Sequence, residues 1–560
     1  MNAVTSAPAA PARSRVRVPA RGMRMDAGGT AVAPRTAYTG ASNHHPNIRL
    51  WQPTLASADA EVLRDAAKLR ARARDLYRNH PYARQAVRAS RLGVIGRKLR
   101  YSCRPDHRFL GIDFEEAVRW GQEFERVWET YAHGLGFYAD AGRRRSFTEQ
   151  MALLHKARFV DGEALATFEW APERRWRTCL QVVDVDRLSN PNGYPESAYF
   201  KGGIEPSALD EPVAYHIRNG HPADHVFVRA EHLSWSRVER ETKWGRPICA
   251  HAFEADRGGQ TRGVSLFAPV ILDMKMSREY AEATLASAIL QSSYAAVLVS
   301  QQNYKEALEV IATMPPDQGK TVSDLALENL EAAVAYHEQA NIRFNGAALP
   351  ILFPGEDLKL LTPGHKADSL ADFNSSSTRA FAAGTGTDPI AVSQDYSNVN
   401  SSSAKMAAAN AWGFYGVLRE EMISTFAMPH VAAFLEEIVS SGGLDLPKGI
   451  SRFDFYDARD ALIKGTFLTQ GAPNLDPVKE AQATLMEINM GITTLQDAAA
   501  ERGEDYLDKL DQRARENIEL ATRGLPPPGM PAMPPAPAEE SSGDDAGGAD
   551  DPPANDSKES

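Results

Sequence analysis

Apolar positions recur at helical spacing through the first part of the chain. Leu63, Leu69, Leu76, Tyr77 and Val87 fall near that period among arginines and alanines, which predicts a helix over 57–92. Phe114, Val118, Trp120, Phe124 and Trp128 form the apolar face of a second helix, Phe114–Tyr131. A third is expected over Phe147–Val160, capped by Ser146, with Glu149 at the position that completes a capping box. The pattern then changes. Glu163–Trp170 and Thr178–Val185 have strand character and are joined by a hairpin connection, APERRWR. Tyr215–Arg218, His225–Val228 and Ile248–Phe253 are further short strands, so residues 160–260 read as a β-rich module. The glycine-rich turn DRGGQTRG, Asp256–Gly263, closes it.

Asp273–Ser300 reads as one long helix, about 42 Å at the usual rise, with no charge after Glu282. It lacks the leucine stripe of a surface helix, which suggests neighbours on more than one side. Residues 301–366 form a mixed module, with a helix over Val322–Gln339 and a strand-like Ala348–Phe353. A short helix, Ser369–Ala383, leads into DPIAVSQDYSNVNSSSAKMAAANAW, Asp388–Trp412. This stretch passes from a turn through small uncharged polar residues into an alanine-rich helix. The helix continues over Ser403–Val439, should be kinked by Pro429, and stops at Gly442 and Gly443. Three more helices are expected: one starting at Asp476 with Pro477 in its first position, then Thr494–Ala500 and Tyr506–Ala521. The fold class is therefore α+β, mainly helical.

Charge sharpens this outline. The 560 residues carry a net charge of −11, unevenly spread. From Gly524 onward eight Asp or Glu face Lys558 alone, in a Pro- and Gly-rich tail whose composition predicts disorder. The first 45 residues predict disorder too, but are basic, and no apolar core follows their arginines as a signal peptide would require. Arg64–Arg104 holds thirteen Lys or Arg against Asp65 and Asp75. That segment is either a solvated helix face or a nucleic-acid footprint. Cys103, Cys179 and Cys249 stand far apart and suggest neither a disulfide framework nor a metal site, which fits a reduced intracellular setting. Ala283–Tyr304 is uncharged but too polar for a membrane span.

Common catalytic patterns fail on their own chemistry. Gly319-Lys320-Thr321 resembles the end of a phosphate loop, but Met314 stands where the first glycine belongs. Ser402–Lys405 fits S-x-x-K without its partner motifs. Asp161-Gly162-Glu163 reads as turn chemistry, His155 as a core or interface residue, and His44-His45 as idle. No catalytic, cofactor-binding or metal-binding residue is assigned.

Six pieces in chain order resemble the portal proteins of lambda-type tailed bacteriophages: RDLYRNHPYARQAV at 74–87, RRSFTEQM at 144–151, DVDRLSNPNG at 184–193, GGQTRGVSLFAPVI at 258–271, DYSNVNSSSAKMA at 395–407 and NLDPVKEAQATLMEINMGITTLQ at 474–496. The resemblance covers about residues 50–523. It implies a non-enzymatic subunit, without cofactor, built of wing, stem, clip, tunnel loop and crown and closing into a ring, usually of twelve copies. The ring would sit at one capsid vertex of the virion, assembled in the host bacterial cytoplasm without contact to a membrane. Double-stranded DNA would pass through it without sequence-specific binding. Its partners would be its own copies, the terminase large subunit, head–tail connector proteins, and major capsid and scaffold proteins.

By order of parts, 46–266 is the wing, 267–300 the first stem helix, 301–366 the clip, 367–387 the second stem helix and 388–403 the tunnel loop. Residues 404–475 are the long kinked helix and its return through the wing, and 476–523 the wing or crown helices, between the lead 1–45 and the tail 524–560. Channel lining then falls to Tyr396, Ser397, Asn398, Val399, Asn400, Ser401, Ser402 and Ser403, and stem packing between subunits to Ala288, Ser292 and Ala295. The alternatives are an ordinary interhelical loop, a nucleic-acid-binding protein that uses the basic segment 64–104, and an enzyme of a fold not recognised from its motifs.

Overall fold

A computed structural model describes residues 38–224, 229–293, 297–300, 367–397, 400–471 and 477–525, with short pieces within 328–359. Residues up to Ser57 form a separate unit whose described part holds one 3-10 turn, Thr39–Ala41. All that follows concerns the unit from Ala58 onward.

The helix expected over 57–92 is two helices, α1 (Ala58–Asn79) and α2 (Pro81–Val94). Pro81 lacks an amide hydrogen and crowds the residue before it, so His80 is extended at φ −110°, ψ 123°. A strand, β1 (Arg100–Cys103), and a single helical turn, α3 (His107–Leu110), lead to α4 (Phe114–His133). Trp120, Phe124 and Trp128 of α4 are buried as their spacing predicted, whereas Phe114, in the first turn, is exposed. α5 (Phe147–Val160) carries the expected capping box of Ser146 and Glu149.

Two three-stranded antiparallel sheets follow. The first has the order β3-β2-β7, with β2 at Glu163–Trp170, β3 at Thr178–Val183 and β7 at Cys249–Phe253. The second joins β4 (Ile204–Pro206), β5 (Pro212–Arg218) and β6 (Trp235–Glu239). The expected strand His225–Val228 lies outside the described residues.

α6 spans Ile271–Ser293, shorter than the helix expected to reach Ser300. The β-branched run beyond it is a strand, β8 (Val297–Ser300). β9 (Ile342–Phe344) and β10 (Ala347–Leu349) pair with each other, and β11 (Glu356–Lys359) returns to pair with β8, Ser300 opposite Glu356. α7 (Ala367–Thr385) and α8 (Pro389–Ser393) precede α9 (Ser401–Met422). The kink expected at Pro429 is a π-helical turn, Ile423–Ala427, that hands over to α10 (Met428–Ser441). The Met428 amide bonds the carbonyl five residues back, at Ile423, just ahead of a proline that has no amide to offer.

The continuous helix Ser402–Ser441 holds an 18-residue stretch apolar enough to cross a membrane, but 67% of that stretch is buried inside the protein, as befits a core helix. Tyr131 stacks on Phe434 at 3.9 Å, and Trp128, Phe147 and His430 close around the pair. α11 (Phe455–Leu462) then leads to β12 (Gly465–Leu468), which pairs with β1 across more than 350 residues of chain. The described chain ends in α12 (Pro477–Asn489), α13 (Leu495–Glu501) and α14 (Tyr506–Thr522).

Candidate functional site

The stretch between α7 and α9, which has no Lys or Arg, is anchored at both ends by capping bonds. Asp388 caps α8, its carboxylate accepting from the Ile390 amide at 2.9 Å, and Pro389 sits where its missing N–H is not needed. α8 rests on α2: Gln85 Nε2 donates to the Ala391 carbonyl at 3.2 Å, and Val392 is buried. Gln394 then turns the chain in the left-handed region, at φ 57°. Asp395 accepts from the Ser397 amide at 3.0 Å and its hydroxyl at 2.6 Å, and these bonds hold the carboxyl below its ordinary range. Tyr396 projects into solvent, 65% exposed. At the far end Asn400 caps α9, its side-chain oxygen accepting from the Ser403 amide at 2.8 Å and hydroxyl at 2.7 Å.

Of the eight residues expected to line a channel, Tyr396 and Ser397 therefore occupy the turn and Asn400 is a helix cap. Ser401, Ser402 and Ser403 already form the first turn of α9, while Asn398 and Val399 lie outside the described residues.

The loop is carried by α6 and α7, which run together. Tyr280 and Phe373 rings meet at 4.8 Å, Phe267 and Phe381 at 6.0 Å. Gly384 lets α7 lie against Val270, whose Cγ1 would stand 2.5 Å from an added Cβ. Among the described side chains of α6, Met274 and Ser277 are buried, whereas Leu272, Met276 and Leu285 are exposed. Ala288 and Ser292 lie on α6, and Ala295 lies outside the described residues.

An ionic cluster that the sequence reading missed fixes the root of this pair. Glu163 is fully buried and accepts from Arg262 Nε at 2.7 Å, Arg70 at 3.2 Å and His251 Nε2 at 2.9 Å. Burial pushes its carboxyl up, but the Arg262 charge and the bonds from His251 and Arg262 outweigh burial and hold it well below the carboxylate range. Arg262 also donates to the carbonyls of Val185, Leu188 and Gly202. Arg70 and Arg74 extend the cluster to Asp186, and Arg74 reaches Asp161 and Asp184. Gly162, at φ +89°, lies so close to Val264 that a Cβ would stand 2.2 Å from its carbonyl carbon. The turn DGE and the RG of DRGGQTRG are thus two halves of one buried salt-bridge cluster. Chain spacing alone gives no sign that they meet.

Other candidates resolve into structure. His155 is fully buried, its Nε2 3.0 Å from Ser90 Oγ. Ser402–Lys405 lies on the first turn of α9, and Gly319–Thr321 lies outside the described residues. Asp184, Asp186 and His221 bring ligand atoms within 4.8 Å of one another, but Arg74 already bonds both carboxylates, at 3.0 and 2.5 Å. The three cysteines are buried, and burial pushes Cys103 up to about 12 and Cys179 to about 11. Six of the thirteen basic residues in 64–104 are in ion pairs: Arg64, Arg70, Arg74, Lys98, Arg100 and Arg104.

The candidate site is therefore an exposed loop, capped at both ends and carried on α6 and α7. Comparison with known proteins gives the family. The chain matches the family model described as phage portal protein, lambda family, over residues 44–419, and it belongs to that family. The portal protein of Escherichia phage N15 is 31% identical over 498 residues, spanning 88% of this chain and 92% of its own length. Portal protein B of Escherichia phage lambda is 30% identical over 499 residues, with the same coverage of 88% and 92%. Among solved structures, the neck of an empty gene transfer agent particle computed with C6 symmetry is similar, at 15% identity and a TM-score of 0.44, over 83% of this chain and 94% of that one.

Proposed function

We propose that copies of this chain, expected to number twelve, form a ring at one capsid vertex, that DNA enters and leaves through its hole, and that residues 396–403 face that hole. The observation that carries this reading is the loop itself. No Lys or Arg occurs from Asp388 to Ser403, and the two caps fix where the loop leaves and rejoins the helices. Each cation on a phosphate adds counterion-release affinity, so a surface that must let DNA slide does without them. Asp395 is held ionised and repels phosphate.

α6 and α7 are then the two stem helices, packed between subunits through the face that carries Ala288, Ser292 and Ala295. The return of β11 to β8 supports reading 301–366 as the clip. The clip would dock the terminase large subunit and later the head–tail connector proteins, while the wing 46–266 meets capsid and scaffold proteins. The role is structural and located in the virion, as the portal proteins of the two Escherichia phages suggest.

The test is lysine substitution at Ser397, Asn398 and Ser402, which spares the cap at Asn400. Rings and capsids should form normally, while the DNA protected from nuclease inside capsids should fall, with recovery as salt rises. Normal packaging by this variant would remove the loop from the channel.

A further inference from the structure

α2 carries three arginines and no acidic residue. Arg84, Arg88 and Arg91 are spaced i, i+4, i+7 and stand in one row along the helix. All three are exposed, and none forms an ion pair among the described residues. The opposite face, with Ala83, Ala86, Val87, Ser90 and Val94, is buried, so the row has a fixed direction.

Folding alone gives no reason for this row. Like charges at that spacing oppose helix formation, and Arg84 stands near the helix N-terminus, where the dipole disfavours a cation. Arginines that the fold does use are treated differently: Arg70, Arg74, Arg100 and Arg104 are each matched to a carboxylate. A local rule broken without a compensating contact points to a partner outside the subunit.

We propose that this row is a phosphate-contacting face for double-stranded DNA. Its guanidinium groups rise about 4.5 to 6 Å apart along the helix. A duplex presents one negative charge about every 1.7 Å of its axis, so the row meets phosphates in any register and reads no sequence. The inference rests on the portal reading, which brings DNA to the ring, and assigns a second role there: the loop lets DNA slide, and the arginine row holds it. Both sit on one support, because Gln85 of the same helix bonds the α8 carbonyl that precedes the loop.

The test uses the full chain as purified, with native mass spectrometry to report assembly and a fluorescent 40-bp duplex to report binding. Wild-type affinity should fall about 40-fold between 50 and 200 mM salt for three phosphate contacts per subunit, by the slope of about −0.9 per contact. Arg84→Gln/Arg88→Gln/Arg91→Gln should keep its assembly state but bind at least tenfold more weakly, with a flattened salt dependence. Arg513→Gln, an exposed arginine on α14, should change neither. Unchanged affinity and slope in the triple variant would overturn the proposal. So would unchanged duplex binding combined with lost binding of a peptide spanning 526–560, which would assign the row to the chain's own acidic tail. Monomers that still lose DNA binding with the three arginines would keep the row and sink the ring.

Discussion

Two fully buried histidines, His155 and His430, make the fold sensitive to mild acid. Burial, reinforced by Arg158 and Arg91 at the first and Arg246 at the second, lowers both to about 3. The unfolded chain takes up these protons near pH 6.5, whereas the folded chain does not until about 3, so stability is full above about 6.5 and declines as pH falls through that window. Each histidine contributes up to about 1.4 kcal/mol per pH unit there. Glu163 and Asp186, both held below their ordinary range, add a further loss only below the usual carboxylate pKa. Urea midpoints should therefore be lower at pH 5.5 than at 7.5, and a flat profile would contradict the burial of the two rings. His155 was legible as a core or interface residue because it sits on a helix with many apolar positions. The Glu163 cluster was hidden, because its bonded partners lie up to 116 residues apart and its acidic members look like turns.

At the scale of elements, the seat of the loop depends on close approach between α2 and α9. Gly93 lies under the Tyr415 ring, whose Cδ2 would be 2.1 Å from an added Cβ. Gly93→Ala should cost about 1–3 kcal/mol by overpacking. Leu92→Ala beside it, half-exposed, should stay within about 0.5 kcal/mol. Thermal melts of both variants decide this, and equal stability of the two would mean the helices are not in contact there. Long periodic helices, the β2–β3 hairpin and the capping box at Ser146 were readable because each is a local pattern. The break at His80 was signalled by Pro81 and overlooked, since the apolar period runs on across it. The pairing of β1 with β12 was not readable, because four residues carry too little pattern to name a partner so far away in the chain.

For the whole molecule, six collinear pieces marked the family although none was decisive alone, and the family match over 44–419 takes in five of them. Composition could not say which described side chains of α6 are exposed, nor that Arg70, Arg74 and Arg104 pair with carboxylates from distant parts of the chain; both depend on tertiary contacts. The central claim is that the loop faces the hole of a ring. Its most direct measurement exploits the thiols: Cys103, Cys179 and Cys249 are buried, so Ser397→Cys supplies the one exposed cysteine among the described residues. The purified variant, labelled there with a gold cluster, is imaged by single-particle electron microscopy. A loop facing the hole gives rings with gold density inside the central hole; unassembled particles, or rings with gold on the outer rim, would exclude that placement.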